Sequence, residues 1–338
     1  MPADATRPSR YAVEPPTFHY RKPVRGSVVW WLRCLGVVAL VVVLLRLPGA
    51  TGQVTLTKID LRWLGLCMLL TLGQLLLEAF VWQWLMSMQR IPYAFPKTLV
   101  AYLASQYLGL VTPGHAGEFL AAGYISTDTG LTFGYALSSV VVKKILYWVS
   151  LVGFGVWGLQ LAVHVPRVWA VWVGIGTGVC LAIGITVWVF SLRRLARKWQ
   201  NLSPWQIDPA EFWAGMKQLA SPGLIVPLAI AAFAFSLLFF QLDAVLHALG
   251  KPLPLVLAAK IMAFSRIISR LVPISVVGFG SKDAAVIGLL AQHGIDPAAG
   301  LLVTLLFLLC TYLVTLLLSG VCWWVKPLVV RRIARPAP

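Results

Sequence analysis

Long apolar runs alternate with short polar segments along the chain, and several runs are long enough to cross a bilayer. A hydrocarbon core of about 30 Å needs about 20 helical residues. Six runs meet that length: Val28–Leu47, Leu61–Met86, Phe133–Val163, Val168–Leu192, Gly223–Leu249 and Ala299–Lys326. The pattern predicts an all-α fold, a polytopic membrane helical bundle with six full spans.

Two further apolar runs are interrupted by proline and glycine. One break holds Pro113, Gly114 and Gly117, between the arms Thr98–Thr112 and Phe119–Ser126; the other starts at Pro273, between Leu255–Val272 and Ala284–Gln292. Proline lacks an amide donor and clashes with the preceding turn, so it ends a helix. Non-helical backbone at membrane depth is tolerated only inside protein or beside a wet cavity. We therefore expect two re-entrant, broken-helix hairpins.

Composition places the chain outside the range of soluble proteins. Hydrophobic residues make up 59% and charged residues 12%, whereas soluble domains are close to half apolar and a quarter charged. The net charge of +17 comes from basic residues at the ends of apolar runs, not from a stripe interleaved with aromatics. This favours contact with anionic lipid headgroups at the basic termini, and no nucleic acid partner is expected.

The basic clusters also predict the topology. They lie in the tail 1–27, in the segment 193–221 and in the tail 327–338. The positive-inside rule places all three in the cytoplasm, and six crossings of a single transmembrane domain, residues 28–326, bring them to one side. The tryptophans of segment 193–221 favour an amphipathic linker along the cytoplasmic interface.

The two halves of the chain are alike in order and opposite in direction. The first repeat covers about 61–163 and the second about 223–326, and each hairpin has one span before it and one after. Arg90 lies 23 residues before Pro113, and Lys251 lies 22 before Pro273. Inverted repeats with broken helices are a recurring plan of transporters. The alternative is that the glycine and proline interruptions serve packing alone.

Charged residues at membrane depth are costly, so each is a hypothesis about function. Arg266 and Arg270 share one helix face close to the second break. The glycine-rich segment after Pro273 can expose backbone amides, and Ser281 is the expected N-cap of the next helix, a typical anion site. Together these features predict a site for a phosphate-bearing headgroup. The candidates are His115, Glu118, Lys143, Lys144, Arg266, Arg270, Ser275, Gly278, Gly280, Ser281, Lys282 and Asp283.

Other interpretations of these residues stay open. Glu118 and Asp283 could cap helices and pair with nearby bases, which would only brace the hairpins. His115 and Glu118 are spaced like a metal pair, but no further ligand lies nearby in sequence, so we expect neither a metal nor another cofactor. We find no familiar catalytic motif and assign no catalytic residue. A lipid transferase built from membrane aspartates and arginines remains the enzyme alternative.

The two breaks resemble the lysylphosphatidylglycerol synthase transmembrane family of flippase-like proteins. P-G-H-A-G-E at Pro113–Glu118 is similar to the family's P-G-R-x-G-E, and L-V-P-I-S-V-V-G-F-G-S-K-D at Leu271–Asp283 to its L-x-P-I-S-x-G-G-x-G-x-R-E. The similarity runs from about Leu61 to Lys326. The chain departs from the family at His115, at Val277, at Lys282-Asp283, and at Lys143-Lys144-Ile145-Leu146-Tyr147, where relatives often have E-R-x-x-D. The last departure removes two acids and puts the usual ion pairing in doubt.

The resemblance implies a transporter that moves a lipid between leaflets of a bacterial inner membrane. The membrane lipid substrate would carry an anionic or polar headgroup on a phospholipid or an isoprenoid-linked lipid. The soluble aminoacyl-transfer domain of the full synthases has no counterpart here, so aminoacylation is not expected. The alternative is a lipid-modifying membrane enzyme, or a non-catalytic subunit of a lipid pathway such as hopanoid synthesis. A homo-oligomer stays open.

Overall fold

The computed structural model describes residues 59–159, 209–271, 275–276 and 279–327, and these are almost entirely helical. The α-helices are α1 Leu61–Met88, α2 Phe95–Val111, α3 Ala121–Thr129, α4 Phe133–Leu159, α5 Pro209–Leu219, α6 Ile225–Ala248, α7 Leu255–Leu271, α8 Ser281–Gln292, α9 Pro297–Leu308 and α10 Val314–Val325. Short 3₁₀ helices cover Pro113–Leu120 and Pro222–Leu224, and a π-helical turn at Leu309–Leu313 joins α9 to α10.

Four helices in the described ranges are long and apolar enough to cross a membrane: Leu61–Met88, Phe133–Leu159, Pro222–Ala248 and Pro297–Val325. Large apolar side chains on their outer faces are exposed, as expected for contact with lipid. These helices confirm a multi-pass helical membrane protein. The predicted spans Val28–Leu47 and Val168–Leu192 lie outside the described residues.

Side-chain caps and left-handed residues mark the ends of the long helices. Asp60 accepts the Arg62 amide at 2.9 Å at the start of α1, and Asp296 accepts the Ala298 amide at 3.0 Å at the start of α9. After α1 and α6 the chain turns at Arg90 (φ 56°) and Gly250 (φ 63°). These two turns are 160 residues apart, and each is followed by a 17-residue helix, α2 or α7.

Both helices after these turns end at the predicted breaks, but the two breaks differ in backbone geometry. Behind α2 the chain forms the 3₁₀ helix Pro113–Leu120 before α3. Behind α7 it forms a short antiparallel pair, β1 Ser275–Val276 with β2 Phe279–Gly280. The interruption at both prolines is confirmed, whereas the depth of the hairpins in the bilayer stays a prediction. Ser281 is the first residue of α8 rather than the residue before it, because β2 runs up to Gly280.

The helices α1 and α6 lie side by side and run antiparallel. At one end the Asp60 amide donates to the Ala248 carbonyl at 3.0 Å, and halfway along Gln241 Nε2 donates to Gln74 Oε1 at 3.0 Å. Met88 at the end of α1 lies beside Gly223 at the start of the other helix. The two halves of the chain therefore meet along this pair.

The helix before each break packs against the last span of the other half. On one side α2 packs on α10, where the rings of Tyr107 and Trp323 stack with centroids 5.2 Å apart. On the other side α7 packs on α4, where Gly158 lies against the backbone of Lys260 and Phe264. The packing is thus reciprocal between the halves.

The end of α10 is also tied to the first hairpin. Tyr124 Oη donates to the Lys326 carbonyl at 2.9 Å, Lys326 forms an ion pair with Asp128, and Tyr93 Oη donates to Asp128 at 2.5 Å. Tyr93 precedes α2 in a connecting loop, where burial and the hydrogen bond to Asp128 raise its pKa. These bonds hold the open end of the first hairpin against the end of α10.

Candidate functional site

The 3₁₀ helix of the first break carries Glu118 into the bundle beside α4. Glu118 is 8% exposed. Its carboxylate forms an ion pair with Lys144 of α4 and accepts from Gln106 Nε2 of α2 at 3.3 Å. A buried carboxylate is tolerated when it is paired and hydrogen-bonded in this way. The ion pair links the break to the third predicted span.

Two glycines allow the break to approach α2 closely. A Cβ built on Gly109 would overlap the side chain of Glu118, and a Cβ built on Gly117 would overlap the Leu108 carbonyl. The Gly117 amide is satisfied locally, because it donates to Thr112 Oγ1 at 2.7 Å. The side chain of Glu118 can therefore pass over α2 only because residue 109 lacks a side chain.

A second acid–base pair lies next to the first. Tyr102 Oη of α2 donates to Glu78 Oε2 of α1 at 2.6 Å. Lys143 Nζ lies 3.9 Å from the same oxygen and 3.7 Å from the centroid of the Tyr102 ring. Tyr102 therefore contacts both members of the pair, the acid through its hydroxyl and the base through its ring.

The four charged residues Glu78, Glu118, Lys143 and Lys144 form a first cluster. Two glutamine side chains connect this cluster to α6. Gln74 Nε2 donates to Glu78 Oε1 at 3.1 Å, and Gln74 Oε1 accepts from Gln241. Gln74 and Glu78 are four residues apart and so share one face of α1. Polar groups at the crossing of α1 and α6 are thus connected to the charges at the first break.

A small cavity lies within the first cluster. Its volume is about 10 Å³, which is close to the minimum for one water molecule. Residues of α1–α4 and of the break line it: Trp82, Tyr102, Ser105, Gln106, Glu118, Ala121, Val140, Lys143 and Lys144. The space holds at most one water, so any larger polar group requires side chains of the wall, such as Glu118 and Lys144, to move apart.

The second break assembles a different set of charges. Lys282 Nζ lies 3.3 Å from Asp283 Oδ1 at the start of α8, and Asp283 is buried. The Arg266 guanidinium carbon and Lys282 Nζ lie 5.9 and 5.6 Å from the Phe307 ring centroid. Two bases therefore lie beside one ring of α9, with Asp283 next to one of them, and these three charges sum to +1.

An apolar cavity of about 880 Å³ lies apart from both clusters. It is bounded by α4, α6 and α7, and its wall includes the rings of Phe154, Trp157, Phe239 and Phe240. Two serine hydroxyls, of Ser150 and Ser236, are its polar side chains. The wall suits a hydrocarbon and offers no charge to a headgroup.

Comparison with known families decides what kind of protein this is. A family model described as the lysylphosphatidylglycerol synthase TM region matches residues 30–319. The chain belongs to this family. No curated protein and no solved structure matches it. Family membership, together with the apolar helices, makes this a membrane protein related to lipids.

Both lysines of the Lys143-Lys144 pair, whose ion pairing was in doubt from the sequence, have acidic partners. Lys144 pairs with Glu118 of the break, and Lys143 lies beside Glu78 of α1. The acids that pair with α4 therefore come from α1 and from the first break.

The structure brings six of the predicted site residues into two groups, one at each break. Glu118, Lys143 and Lys144 form the first, and Arg266, Lys282 and Asp283 form the second, with Ser281 at the start of α8. Gly280 ends β2. The side chains of His115, Arg270 and Ser275, and residue Gly278, lie outside the part of the chain that is described.

The site predicted from the sequence did not include several residues of the two clusters: Gln74, Glu78, Tyr102, Gln106, Gln241 and Phe307. The best signal for them was the spacing of Gln74 and Glu78, which puts two polar side chains on one face of an otherwise apolar span. Within the described residues, no group of three or more histidine, cysteine or acidic side chains is placed to hold a metal ion.

Proposed function

We propose that this protein moves a lipid with an anionic or polar headgroup between the leaflets of the bacterial inner membrane. The headgroup enters the bundle at the two helix breaks, while the tails remain in the hydrocarbon. Family membership supports a role with lipids, and the charge clusters supply groups that bind a phosphate. A phospholipid and an isoprenoid-linked lipid share that phosphate chemistry.

One observation carries this proposal: the Lys144–Glu118 ion pair lines a small cavity at a helix break inside a helical bundle. Charged side chains at membrane depth mark substrate or ion pathways more often than they serve packing. An ion pair that only braced the hairpin would need no cavity beside it. Here the pair lies on the cavity wall together with Lys143, so its opening exposes two bases to an entering anion.

This cavity, at about 10 Å³, is too small for a headgroup, so transport requires a conformational change. We propose that the chain has six crossings with two re-entrant hairpins, related as an inverted repeat. The antiparallel pair α1 and α6, the equal lengths of α2 and α7, and the spacing of Pro113 and Pro273 support this plan. Rocking of one half against the other would open the first break to each leaflet in turn.

The proposal is tested by lipid movement in reconstituted vesicles. Purified protein is placed in vesicles that carry fluorescent phosphatidylglycerol, and the inner-leaflet pool is followed by quenching with dithionite. We expect faster movement than in protein-free vesicles. Lys144→Gln should slow it by about tenfold or more, because a hydrogen bond to a charged group contributes about 1.5–3 kcal/mol. Lys217→Gln, which changes an exposed lysine on α5, is the matched control.

Two outcomes would contradict the proposal. Movement no faster than in empty vesicles, with folded protein present, would exclude transport of this lipid. A lipid whose mass changes during incubation with the protein would favour the lipid-modifying enzyme instead, so the same vesicles are analysed by mass spectrometry.

A further inference from the structure

Among the side chains that the structure describes, the first cluster is electrically balanced. It contains two acids, Glu78 and Glu118, and two bases, Lys143 and Lys144, each acid within ion-pair distance of one base. In a medium of low dielectric an additional unpaired charge is strongly unfavourable. A headgroup with one negative charge therefore cannot enter this cluster unless a positive charge enters with it.

The two acids differ in position. Glu78 accepts from the neutral donors Gln74 and Tyr102, one at each oxygen, in addition to lying near Lys143. Glu118 pairs with Lys144, accepts from Gln106 at 3.3 Å, and lies on the cavity wall, which Glu78 does not reach. A phosphate in the cavity would compete with Glu118 for Lys144 and leave Glu78 in place.

We propose that Glu118 takes up one proton when the phosphate of a headgroup replaces it at Lys144. The balance is simple: the carboxylate gains a proton from water and becomes neutral, the phosphate brings one negative charge, and the cluster returns to zero net charge. Lipid anions are then carried together with protons, one for one. This inference rests on the proposed function, since it assigns the ion that accompanies the lipid at the same site.

The groups that face Glu118 support this assignment. Tyr102 approaches from α2, Lys143 and Lys144 from α4, and Glu78 from α1 behind Lys143. Removing a proton from either lysine would increase the imbalance that an anion creates. His115 precedes Glu118 by three residues and belongs to a residue type that titrates near neutral pH, so it is tested separately.

Calorimetry of binding gives a test that does not depend on transport. The full-length protein in detergent is titrated with dihexanoylphosphatidylglycerol in two buffers of different ionisation enthalpy, which yields the number of protons taken up per lipid. We expect about one proton for the wild type and none for Glu118→Gln. Binding should tighten by up to about tenfold for each unit by which pH falls, because the bound state holds one more proton. Glu118→Asp, which keeps an acid, should retain the uptake.

Controls separate the alternatives. Glu211→Gln, a matched change on α5 outside the cluster, and His115→Gln should both leave the proton count at about one. Zwitterionic dihexanoylphosphatidylcholine should bind without proton uptake, since it adds no net charge. If Glu118→Gln does not fold, the Glu118→Asp, His115→Gln and phosphatidylcholine results still decide the matter.

Three results would overturn the inference: wild-type binding of phosphatidylglycerol without proton uptake, uptake that persists in Glu118→Gln, or uptake that is lost in His115→Gln. In each of these the lipid still binds, so the proposed function stands. If the folded wild type neither binds the lipid nor moves it in vesicles, the proposed function itself fails, and the coupling fails with it.

Discussion

Glu118 passes over α2 at Gly109, so closely that a Cβ on residue 109 would overlap its Cγ. The ion pair with Lys144 therefore depends on a glycine nine residues earlier in the chain. The break also packs closely on α2 at Gly117, where a Cβ would lie 2.2 Å from the Leu108 carbonyl oxygen. The position of the carboxylate is set by backbone packing rather than by its own rotamer.

Gly109→Ala should consequently displace Glu118 from Lys144. We expect lipid movement in vesicles to change by about tenfold or more, since one charge-assisted contact contributes about 1.5–3 kcal/mol. Gly65→Ala on α1 is the control, because a methyl group there meets no other atom. Equal rates for the two variants at equal protein level would show that Glu118 does not need its present position.

Tyr102 connects Glu78 to Lys143, and a double-mutant cycle can measure this link. Tyr102→Phe removes the hydroxyl that donates to Glu78 and leaves the ring under Lys143. We expect a loss of about 1–2 kcal/mol in the free energy of unfolding in mild denaturant, and a smaller loss in a Glu78→Gln background. Additive effects of the two changes would mean that the hydroxyl and the carboxylate contribute independently.

At Gly158 the backbones of α4 and α7 lie close together. A Cβ on Gly158 would lie 2.7 Å from the Phe264 amide nitrogen and 2.8 Å from the Lys260 carbonyl oxygen. Backbone cannot yield as a flexible side chain does, so we expect Gly158→Ala to destabilise the protein by about 1–3 kcal/mol. The melting temperature in detergent is compared with that of Gly153→Ala, a glycine of the same helix with no atom near its Cβ position. A stable Gly158→Ala protein would contradict the packing of these helices.

Tyr93 predicts a dependence of stability on high pH. Burial and Asp128 raise its pKa in the folded state above the ordinary value of about 10. The folded state then holds the phenolic proton more tightly, so stabilisation by the wild-type tyrosine is complete below pH 10 and is lost as pH rises beyond it. The melting temperature of wild type should fall toward that of Tyr93→Phe above pH 10. A constant difference across pH 9–11 would show that the hydroxyl proton is not held in this way.

Topology can be tested at the three basic segments. Thr6→Cys, Asn201→Cys and Pro336→Cys, each in a background without the native cysteines, should be shielded from an impermeant thiol reagent in intact cells. All three should react after the membrane is permeabilised, which controls for burial. Labelling of any one from outside would contradict the six-crossing proposal.

Helix interruption was predictable because its cause is local. Proline cannot continue a helix wherever it stands, so Pro113 and Pro273 fixed both ends without any knowledge of neighbours. The span predicted at Leu61–Met86 extends to Met88, and that predicted at Gly223–Leu249 covers Pro222–Ala248. The backbone inside each break was not predictable, since it depends on what packs against it: Leu108 at the first break and the β1–β2 pairing at the second.

Partners of the charged side chains were less accessible to sequence reasoning. Lys144 and Glu118 are 26 residues apart, and Lys143 and Glu78 are 65 apart, so no motif joins them. The packing of α4 against α1 and against the first break, within one half of the chain, brings these residues together. Which acid lies beside which base therefore required the fold.

The reciprocal packing of α2 on α10 and of α7 on α4 has a consequence for how the protein is made. The helix before the break in each half packs against the last span of the other half. Neither half can therefore bury all of its apolar surface by itself. During synthesis of the N-terminal half, α2 cannot reach its final packing until α10 has been made and inserted. Assembly is then a late, concerted step, and a chain cut between the halves should recover its fold only when both pieces are made in the same membrane.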